Sequence, residues 1–556
     1  MRISYQKYLL LAGIFILNLV LCTTFLYYPD YWYAFVIFLG SSSLINATSV
    51  VLIFSTRMMR KVIPYRVDPK SYVYIIPCYN ESFEELKQML NSLVVQQVLP
   101  EDKRCFMIIC DGRITGQGNE ASTDILIKTL LNIEDEADGC FNLFYKTWAE
   151  ELNGVLIYYG DYKCVPYILF IKENNVGKRD SLVLARQLCY QYNTDAGLVS
   201  QDNVYHNVAE CFSEIFGDSI DYIIGIDADT IFDIPCSYEL IRSIEHAGEQ
   251  TVGCVGHVAI LPTCQPWSPL VMYQSAEYEV AQCLRRFAQS NITGKVSCLS
   301  GCNQILRICK ETCGPDILTK FNYFPKEQDS IFHHIRSFAS EDRNHVCLML
   351  SMYPYVHTIQ CLSAHAYTSV PVTFRVLMSQ RRRWSLGSTT NDLLLTYLPG
   401  INIFERISAF FNCMNYILVP FICVATAVLI KTFILAPTYL MLMISILIFI
   451  PIGYNLLLPF WNNYTFRKAV YFYICYIFFL GFSVILNFFI FLNSTWNMDI
   501  FKWGKTRTII EPIRDIEEAR PVEKAKPVEV ARPVEVARPV EKAIILYREQ
   551  MIETDL

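Results

Sequence analysis

The chain of 556 residues is 53% hydrophobic and only 18% charged, whereas about a quarter of the residues in soluble globular domains are charged. This composition excludes a purely soluble protein, and the net charge of −6 excludes a globally basic nucleic-acid-binding protein. The 21 cysteines show no framework of short spacings, which is typical of reduced thiols facing the cytosol. The 8 histidines show no metal-binding spacing.

Two apolar runs open the chain, at about residues 8–28 and 32–54. Each approaches the roughly 20 residues that cross a hydrocarbon core. Basic residues precede the pair at 2–7 and follow it at 57–70. Because cytosolic flanks carry the excess of Lys and Arg, both ends of the pair are predicted to lie in the cytosol. We therefore expect two transmembrane helices within residues 1–64.

The region from 65 to 400 carries charges at ordinary density and has an α/β pattern. Its short apolar runs at 72–76, 105–110, 167–171 and 222–226 each end in polar residues. Such runs are typical of buried parallel strands, whose carboxyl ends form the ligand sites of open α/β sheets. We predict a cytosolic, Rossmann-like, nucleotide-binding sheet. It lacks the GxGxxG fingerprint, which disfavours NAD or FAD as ligand.

Two acidic pairs are candidates for the chemistry of this domain. Asp227 and Asp229 directly follow the last apolar run, where two carboxylates can hold a divalent cation that neutralises a nucleotide diphosphate. A surface turn is the usual reading of such a pair, but the preceding strand favours a metal site. Glu341 and Asp342, before Arg343, are candidates for the base of a sugar transfer. A solvated helix start with a salt bridge is the alternative.

A second membrane-associated block is predicted at 401–510, with three apolar runs between 413 and 492. The sequence QRRRW at 380–384 precedes it, and its arginines can clamp a diphosphate while its tryptophan stacks on a sugar. A basic membrane anchor with an interfacial tryptophan is the alternative. The number of crossings stays open. Residues 511–556 contain RPVEKA-like hexapeptides, in which the regular prolines forbid a continuous helix and predict an extended low-complexity tail.

Five motifs occur in an order that resembles the fungal chitin synthases, members of the family 2 processive glycosyltransferases. They are GKRDS at 177–181, DADT at 227–230, EDR at 341–343, QRRRW at 380–384 and WGKTR at 503–507. The resemblance implies an α/β GT-A fold for the cytosolic domain, embedded between N-terminal and C-terminal transmembrane helical blocks. It implies that N-acetylglucosamine is transferred from UDP-GlcNAc to the 4-hydroxyl of a growing β-1,4-linked chitin chain. It also implies Mg²⁺ or Mn²⁺ as cofactor and extrusion of the polymer through the protein's own helices.

The resemblance also assigns roles to individual residues. Asp342, next to Glu341, matches the catalytic base, and Asp229 matches the metal ligand. The donor-binding residues that it implies are Pro77, Tyr79, Asn80, Glu81, Asp111, Lys178, Arg179, Asp180, Asp227, Trp503 and Thr506. The residues that it implies at the acceptor and diphosphate end are Gly301, Cys302, Gln380, Arg381, Arg382, Arg383 and Trp384.

Two departures from the family pattern concern the acceptor region, where Ser340 and Ser300 stand in place of the usual Gly and Pro. The expected partners are UDP-GlcNAc, the growing chitin chain and the lipid bilayer, with no nucleic acid. The oligomeric state stays open, with a homodimer among the expected partners. The expected location is the plasma membrane, as a multi-pass protein, with intracellular vesicles as an alternative. The competing hypotheses are a hyaluronan or cellulose synthase of the same scheme, and a transporter with a regulatory nucleotide-binding domain.

Overall fold

The N-terminal part of the computed structural model is helical. The described residues are 2–58, 63–113, 115–116, 120–133, 141–147, 149, 151–194, 203–261, 265–435, 439–501 and 509–510. Helices α1 (Ile3–Tyr27), α2 (Val36–Leu39) and α3 (Ser41–Met58) are joined by a 3₁₀ segment at Pro29–Phe35. Helix α1 is long and apolar enough to cross a membrane. A bend at Gly40 divides the second predicted apolar run. The apolar part of α3 that remains, Ser43–Thr56, is shorter than a membrane span.

A central sheet forms the α/β region. Its strands are β1 (Ser71–Cys78), β2 (Lys103–Cys110), β4 (Phe141–Lys146), β5 (Leu152–Tyr162), β6 (Val165–Lys172), β7 (Tyr222–Gly225), β8 (Thr230–Phe232), β9 (Thr251–Ile260), β10 (Gln304–Arg307) and β11 (His357–Thr368). The order is β4-β5-β6-β2-β1-β7-β10-β9-β11-β8. Strands β6, β2, β1 and β7 are parallel neighbours, as the apolar runs predict. A separate short pair joins β3 (Thr115–Gly116) to β12 (Ile509–Ile510).

Helices cover both faces of the sheet. They are α4 (Phe83–Val94), α5 (Ser122–Ile125), α6 (Lys178–Thr194), α7 (Asn203–Phe216), α8 (Cys236–His246), α9 (Pro269–Val280), α10 (Lys310–Cys313), α11 (Pro315–Phe321), α12 (Ile331–Ala339), α13 (Glu341–Met352) and α14 (Phe374–Tyr397), with π-helical stretches at Leu126–Leu130, Ala281–Arg286 and Gln289–Thr293. Successive side chains of a strand point to opposite faces. Tyr72 and Tyr74 of β1 therefore pack with α4 and α8, whereas Val73 and Ile75 pack with α6 and α7.

The C-terminal block contains α15 (Ile403–Ile417), α16 (Val419–Leu435), α17 (Tyr439–Trp461) and α18 (Phe466–Trp496). Helices α15 and α16 meet at an angle of 82°. Asn18 of α1 satisfies backbone groups at this break, since its Nδ2 donates to the Ile417 carbonyl at 3.0 Å and its Oδ1 accepts from the Phe421 N–H at 3.0 Å. By length and composition, α1 and α18 can each span a membrane, and the bent pair provides a third span if it is counted as one.

Helix α18 lies beside the α/β domain, which from here on is called the catalytic domain after its predicted role. Near its start, the Tyr471 hydroxyl donates to the Pro266 carbonyl at 2.8 Å. Near its end, Asn493 Nδ2 donates to the Met378 carbonyl at 3.1 Å. The helix is continuous through Gly481.

Candidate active site

The carboxyl ends of β6, β2, β1 and β7 meet at one edge of the sheet because these strands are parallel neighbours. The polar segments that follow them are 173–177, 111–113, 79–81 and 227–229. This edge is the ligand-binding position of an open α/β sheet. The sheet therefore brings together most of the predicted donor-binding residues.

The turn after β1 is stabilised by the carboxylate of one of its own residues. Glu81 Oε2 accepts hydrogen bonds from the backbone N–H groups of Tyr79, at 2.7 Å, and Asn80, at 3.0 Å. The N–H of Glu81 itself donates to Ser122 Oγ at 2.8 Å. Pro77 lies within β1. Glu81 thus fixes the shape of this turn, in which Asn80 is buried.

Asp111 and Asp180 are joined by the buried Lys172. Its Nζ lies 2.7 Å from Asp111 Oδ1 and 3.0 Å from Asp180 Oδ2. Asp111 Oδ2 also accepts from the Gly177 N–H at 2.7 Å, and Tyr145 donates to Asp180 at 2.5 Å. Burial and the charge of Asp180 raise the pKa of Tyr145, which remains a donor. These carboxylates therefore hold the GKRDS segment in place.

Lys172 and Tyr145 were absent from the sequence-based site. The charge of Lys172 at the end of a buried strand is the signal that could have identified it, because a buried ammonium requires a carboxylate partner.

Lys178 links the acidic turn after β7 to the second acidic pair. Its Nζ lies 2.6 Å from Asp227 Oδ1 and 3.7 Å from Glu341 Oε1. Burial lowers the pKa of Lys178, but the charges of Asp227, Asp342 and Glu341 outweigh burial and raise this pKa well above its usual value. The lysine is therefore a permanent cation between the two acidic motifs.

Asp342 lies in the first turn of α13 against Gly301. Its Oδ2 accepts a hydrogen bond from the Gly301 N–H at 2.9 Å. Its Oδ1 is buried and accepts no hydrogen bond within the described part of the chain. Burial, followed by the charge of Asp227, raises the pKa of the neighbouring Cys302 thiol well above its usual value, so this thiol stays neutral.

The two neighbouring carboxyl groups of α13 have opposite pKa shifts. Burial is the largest influence on Asp342, and with the charges of Glu341 and Asp227 it raises the pKa to about 6 against the attraction of Lys178. Burial also acts on Glu341, but Lys178, a backbone N–H and Arg383 outweigh it and lower the Glu341 pKa. Adjacent acids with separated pKa values are typical of acid–base sites. Asp342 is the member suited to accept a proton near neutral pH.

Gly301 leaves room for the Asp342 carboxylate, and we predict that Gly301→Ala slows catalysis. A Cβ at position 301 would lie 2.7 Å from Asp342 Oδ1, which forces the carboxylate to move. A displacement of about 1 Å at a reacting group can reduce the rate by about 10²-fold, so kcat should fall by about 10-fold to 10²-fold. Steady-state rates measure the effect. Gly481→Ala is the matched control, since its Cβ meets nothing within 4 Å, and an equal loss in both variants would contradict the prediction.

A buried arginine of the same helix packs against the ring of Trp384. The Arg381 guanidinium lies 4.2 Å from the centre of the Trp384 ring and donates to Gln380 Oε1 at 2.5 Å. It also forms an ion pair with Glu277 of α9. Trp384 is 41% exposed, and Tyr278 lies beside its ring. Arg381 therefore orients the tryptophan, and its contact with a diphosphate stays a prediction.

The other two arginines of QRRRW have different surroundings. Burial lowers the pKa of Arg383, while the charges of Glu341 and Asp227 raise it. Arg383 therefore lies near these two carboxylates. Arg382 is also buried, and the charge that acts on it is Asp499. Of the three arginines of QRRRW, Arg383 is the one positioned to interact with a charged group at the site.

Two further arginines of the motifs have structural roles. Arg179 donates to the carbonyl oxygens of Phe321, at 2.8 Å, and Arg336, at 2.9 Å. Arg343 forms a 2.8 Å ion pair with Asp392 of α14. Both guanidinium groups therefore fasten helices around the site.

Asp229 has oxygen atoms of other side chains beside its carboxylate. Its carboxylate lies half-buried at the sheet edge, and the hydroxyls of Thr230 and Ser369 contact it at 3.4 Å each. Carboxylate oxygen next to hydroxyl oxygen is a donor set that suits Mg²⁺ or Mn²⁺. The residues present therefore fit a hard divalent cation.

Trp503 and Thr506 lie outside the described residues. The structure describes the chain up to residue 501 and again at residues 509–510. Lys7 of α1 contacts Asp499 Oδ1 at 2.7 Å, and β12 pairs with β3 in the register Ile509 to Gly116. Strand β3 follows the Asp111 loop closely in sequence.

The edge of this mixed sheet gathers several carboxylates, and one of the aspartates nearby has a raised pKa. The protein is therefore a glycosyltransferase with an α/β GT-A fold and apolar helices at both ends. A family model described as chitin synthase matches residues 47–526. The chain belongs to the chitin synthase family, which confirms the resemblance drawn from its motifs.

Several relatives and solved structures are similar to this chain. Chitin synthase 8 of Gibberella zeae is 32% identical over 92% of this chain and 79% of its own length. Chitin synthase 8 of Verticillium dahliae is 33% identical over 76% of this chain and 74% of its own length. The mannosyltransferase PcManGT from Pyrobaculum calidifontis, solved with GDP-Man and Mn²⁺, is 12% identical, with a TM-score of 0.35, and the match covers 78% of this chain and 99% of that one.

Proposed function

We propose that this protein polymerises N-acetylglucosamine from UDP-GlcNAc into β-1,4-linked chitin at the sheet edge. The observation that carries the proposal is the Asp342 carboxyl group, which combines an Oδ1 without a hydrogen bond among the described residues and a pKa of about 6. In the transfer, the acceptor 4-oxygen bonds to C1 of the donor sugar while the bond from C1 to the diphosphate oxygen breaks. The hydroxyl proton moves to Asp342, and UDP leaves.

The charges around the acidic pair support a role in holding the donor diphosphate. Lys178 and Arg383 are the cations that act on Glu341 most strongly, so we assign them to the diphosphate. Asp227, paired with Lys178 at 2.6 Å, is assigned to contact the donor. Asp229 is assigned to hold Mg²⁺ or Mn²⁺, which when bound supplies Lewis-acid stabilisation of the leaving group.

The acceptor chain is assigned to the side of Trp384. This ring is exposed, and an aromatic face can stack on a sugar. The helix that carries it, α14, packs directly against α15 and α18 of the C-terminal block. These contacts support extrusion of the polymer through the protein's own helices.

Incorporation of radiolabelled UDP-GlcNAc into an alkali-insoluble, chitinase-sensitive polymer tests the proposed function. Purified protein in lipid vesicles should form this polymer when UDP-GlcNAc is the only sugar donor. Product that requires UDP-glucuronate would instead indicate a hyaluronan-type synthase, and product from UDP-glucose would indicate a cellulose-type synthase. Loss of incorporation in the Asp342→Asn variant, at equal protein, excludes a contaminating activity.

The contacts of the C-terminal segment support a cytosolic position for WGKTR. Helix α18 contacts the catalytic domain near both ends, and β12 pairs with β3 at the sheet-edge side of that domain. We infer an even number of crossings between Trp384 and Trp503, so that α18 lies partly along the interface. The basic flank at 57–70 supports a cytosolic position for the catalytic domain and hence for this segment, and we assign the protein to the plasma membrane.

A cysteine placed at Lys505 in a cysteine-depleted background should react with an impermeant reagent only after cells are permeabilised. Asp30→Cys in the connector after α1 is the external control, and Glu249→Cys, on the exposed turn after α8, is the cytosolic control. Labelling of position 505 in intact cells, together with the Asp30 control, would contradict the proposed topology.

A further inference from the structure

A buried cluster of metal-binding side chains lies where the α17–α18 turn meets the catalytic domain. It contains His257 of β9, Glu279 of α9 and Cys283 of the following π-helical stretch. Asn462 and Tyr464 of the turn contact the same groups. None of these residues belongs to the site described above.

The ligand atoms of the three residues have the spacing of a metal site. His257 Nε2 lies 3.0 Å from Glu279 Oε2, and Cys283 Sγ lies 3.8 Å from Glu279 Oε1. All three atoms lie within 4.8 Å of one another. Around tetrahedral Zn²⁺, with bonds of about 2.0–2.3 Å, ligand atoms are separated by about 3.3–3.8 Å. The cluster therefore needs only small side-chain shifts to enclose the ion.

The imidazole of His257 is oriented as metal-binding histidines are. The side chain is 4% exposed, and its Nε2 faces Glu279 Oε2 at 3.0 Å. Its other nitrogen, Nδ1, lies 3.2 Å from His365 Nδ1 on β11. When Nδ1 donates this hydrogen bond to His365, the Nε2 lone pair is directed into the cluster, which is the usual arrangement of a histidine ligand and its supporting partner.

The turn between α17 and α18 completes the cluster. Asn462 Nδ2 lies 3.5 Å from Glu279 Oε1 and 3.7 Å from Cys283 Sγ. Rotation of this amide by a half-turn presents Oδ1, an oxygen that can serve as the fourth ligand. The Tyr464 hydroxyl donates to Glu279 Oε1 and so orients the carboxylate.

We propose that His257, Glu279 and Cys283 bind a structural Zn²⁺ that fastens the α17–α18 turn to the catalytic domain. A thiolate with an imidazole and a carboxylate is a softer donor set than the oxygen ligands of Mg²⁺ or Mn²⁺ and selects zinc. Two anionic ligands balance the charge of the ion. The alternative is a metal-free ion network in which the positive charge of His257, followed by that of Lys468, acts on Glu279.

Metal analysis of full-length protein carrying Asp229→Ala, which removes the proposed divalent-cation ligand of the catalytic turn, tests this site. After dialysis against Mg²⁺, about one equivalent of zinc per chain should remain. Co²⁺ replacing the zinc should give a sulfur-to-metal charge-transfer band. Both signals should be lost in Cys283→Ser and kept in Cys211→Ser, which removes a half-buried thiol of α7.

Thermal unfolding provides a second readout, because an ion that binds only the folded state raises the Tm. Added Zn²⁺ should raise the Tm of chelator-treated protein, and His257→Gln should abolish this increase. Protein that holds no zinc and shows no Co²⁺ charge-transfer band overturns the proposal and favours the ion network. Zinc retained by Cys283→Ser overturns it equally.

Discussion

Replacing Asp342 by asparagine is expected to lower kcat by roughly 10²-fold or more, with the KM for UDP-GlcNAc within a few-fold of wild type. Asparagine has nearly the same size, and its carbonyl oxygen can still accept the hydrogen bond from the Gly301 N–H. It cannot take a proton from the acceptor hydroxyl. Initial rates of sugar incorporation at several donor concentrations measure the two parameters separately.

Asp316→Asn is the matched control, because Asp316 is an exposed carboxylate in the first turn of another helix, α11. This variant should retain the wild-type kcat. If donor binding collapses in the Asp342 variant while kcat is unchanged, Asp342 is structural and the base lies elsewhere.

The raised pKa of Asp342 predicts the acidic limb of the pH profile. A base acts only when it is deprotonated, and the pKa of about 6 means that its active fraction falls as the pH is lowered through this value. The wild-type rate should therefore decrease below about pH 6, with one proton responsible. The Asp342→Asn variant should lack this limb, and a limb that persists in it would assign the titration to another group.

Replacing Asp229 by alanine is expected to reduce polymer synthesis by about 10³-fold, even at saturating Mn²⁺. Lewis-acid stabilisation of a leaving diphosphate contributes several kcal/mol, and each 1.36 kcal/mol corresponds to about tenfold in rate. Asp229 is the carboxylate at the sheet edge that the Ser369 and Thr230 hydroxyls flank. Rates measured over a Mn²⁺ titration show whether added metal restores activity.

Asp218→Ala removes an exposed carboxylate in the loop before β7 and serves as the control. It should retain wild-type activity and the same Mn²⁺ dependence. Wild-type rates in a folded, membrane-inserted Asp229→Ala protein would exclude Asp229 as the metal ligand.

The local parts of the fold and site were predictable from the sequence. The buried apolar runs correctly predicted the parallel strands β1, β2, β6 and β7. Ser82 and Glu85 form the capping box that starts α4, because both groups lie within one turn of helix. The acidic pairs at the end of β7 and the start of α13 lie together, as the order of the motifs implies.

Membrane association also follows from the sequence by itself, because the cost of burying polar backbone in lipid requires long apolar helices. The hydropathy of α1 and α18 is a property of consecutive residues, and both helices have the length of a span. The path of α18 is different. Its contacts with Pro266 and Met378 are made by side chains far apart in the chain, so a hydropathy pattern cannot contain them.

Only the tertiary structure decided what each charged side chain does. Arg381 belongs to a diphosphate-binding pattern, yet its partner is Glu277, about a hundred residues away, and it therefore orients Trp384. The pKa of Asp342 depends on its burial and on Lys178 of another helix. Composition, apolar periodicity and short motifs determined the class of fold and the chemistry available. Electrostatic shifts and ion pairs depend on distances of a few ångströms between segments remote in sequence, and folding alone sets those distances.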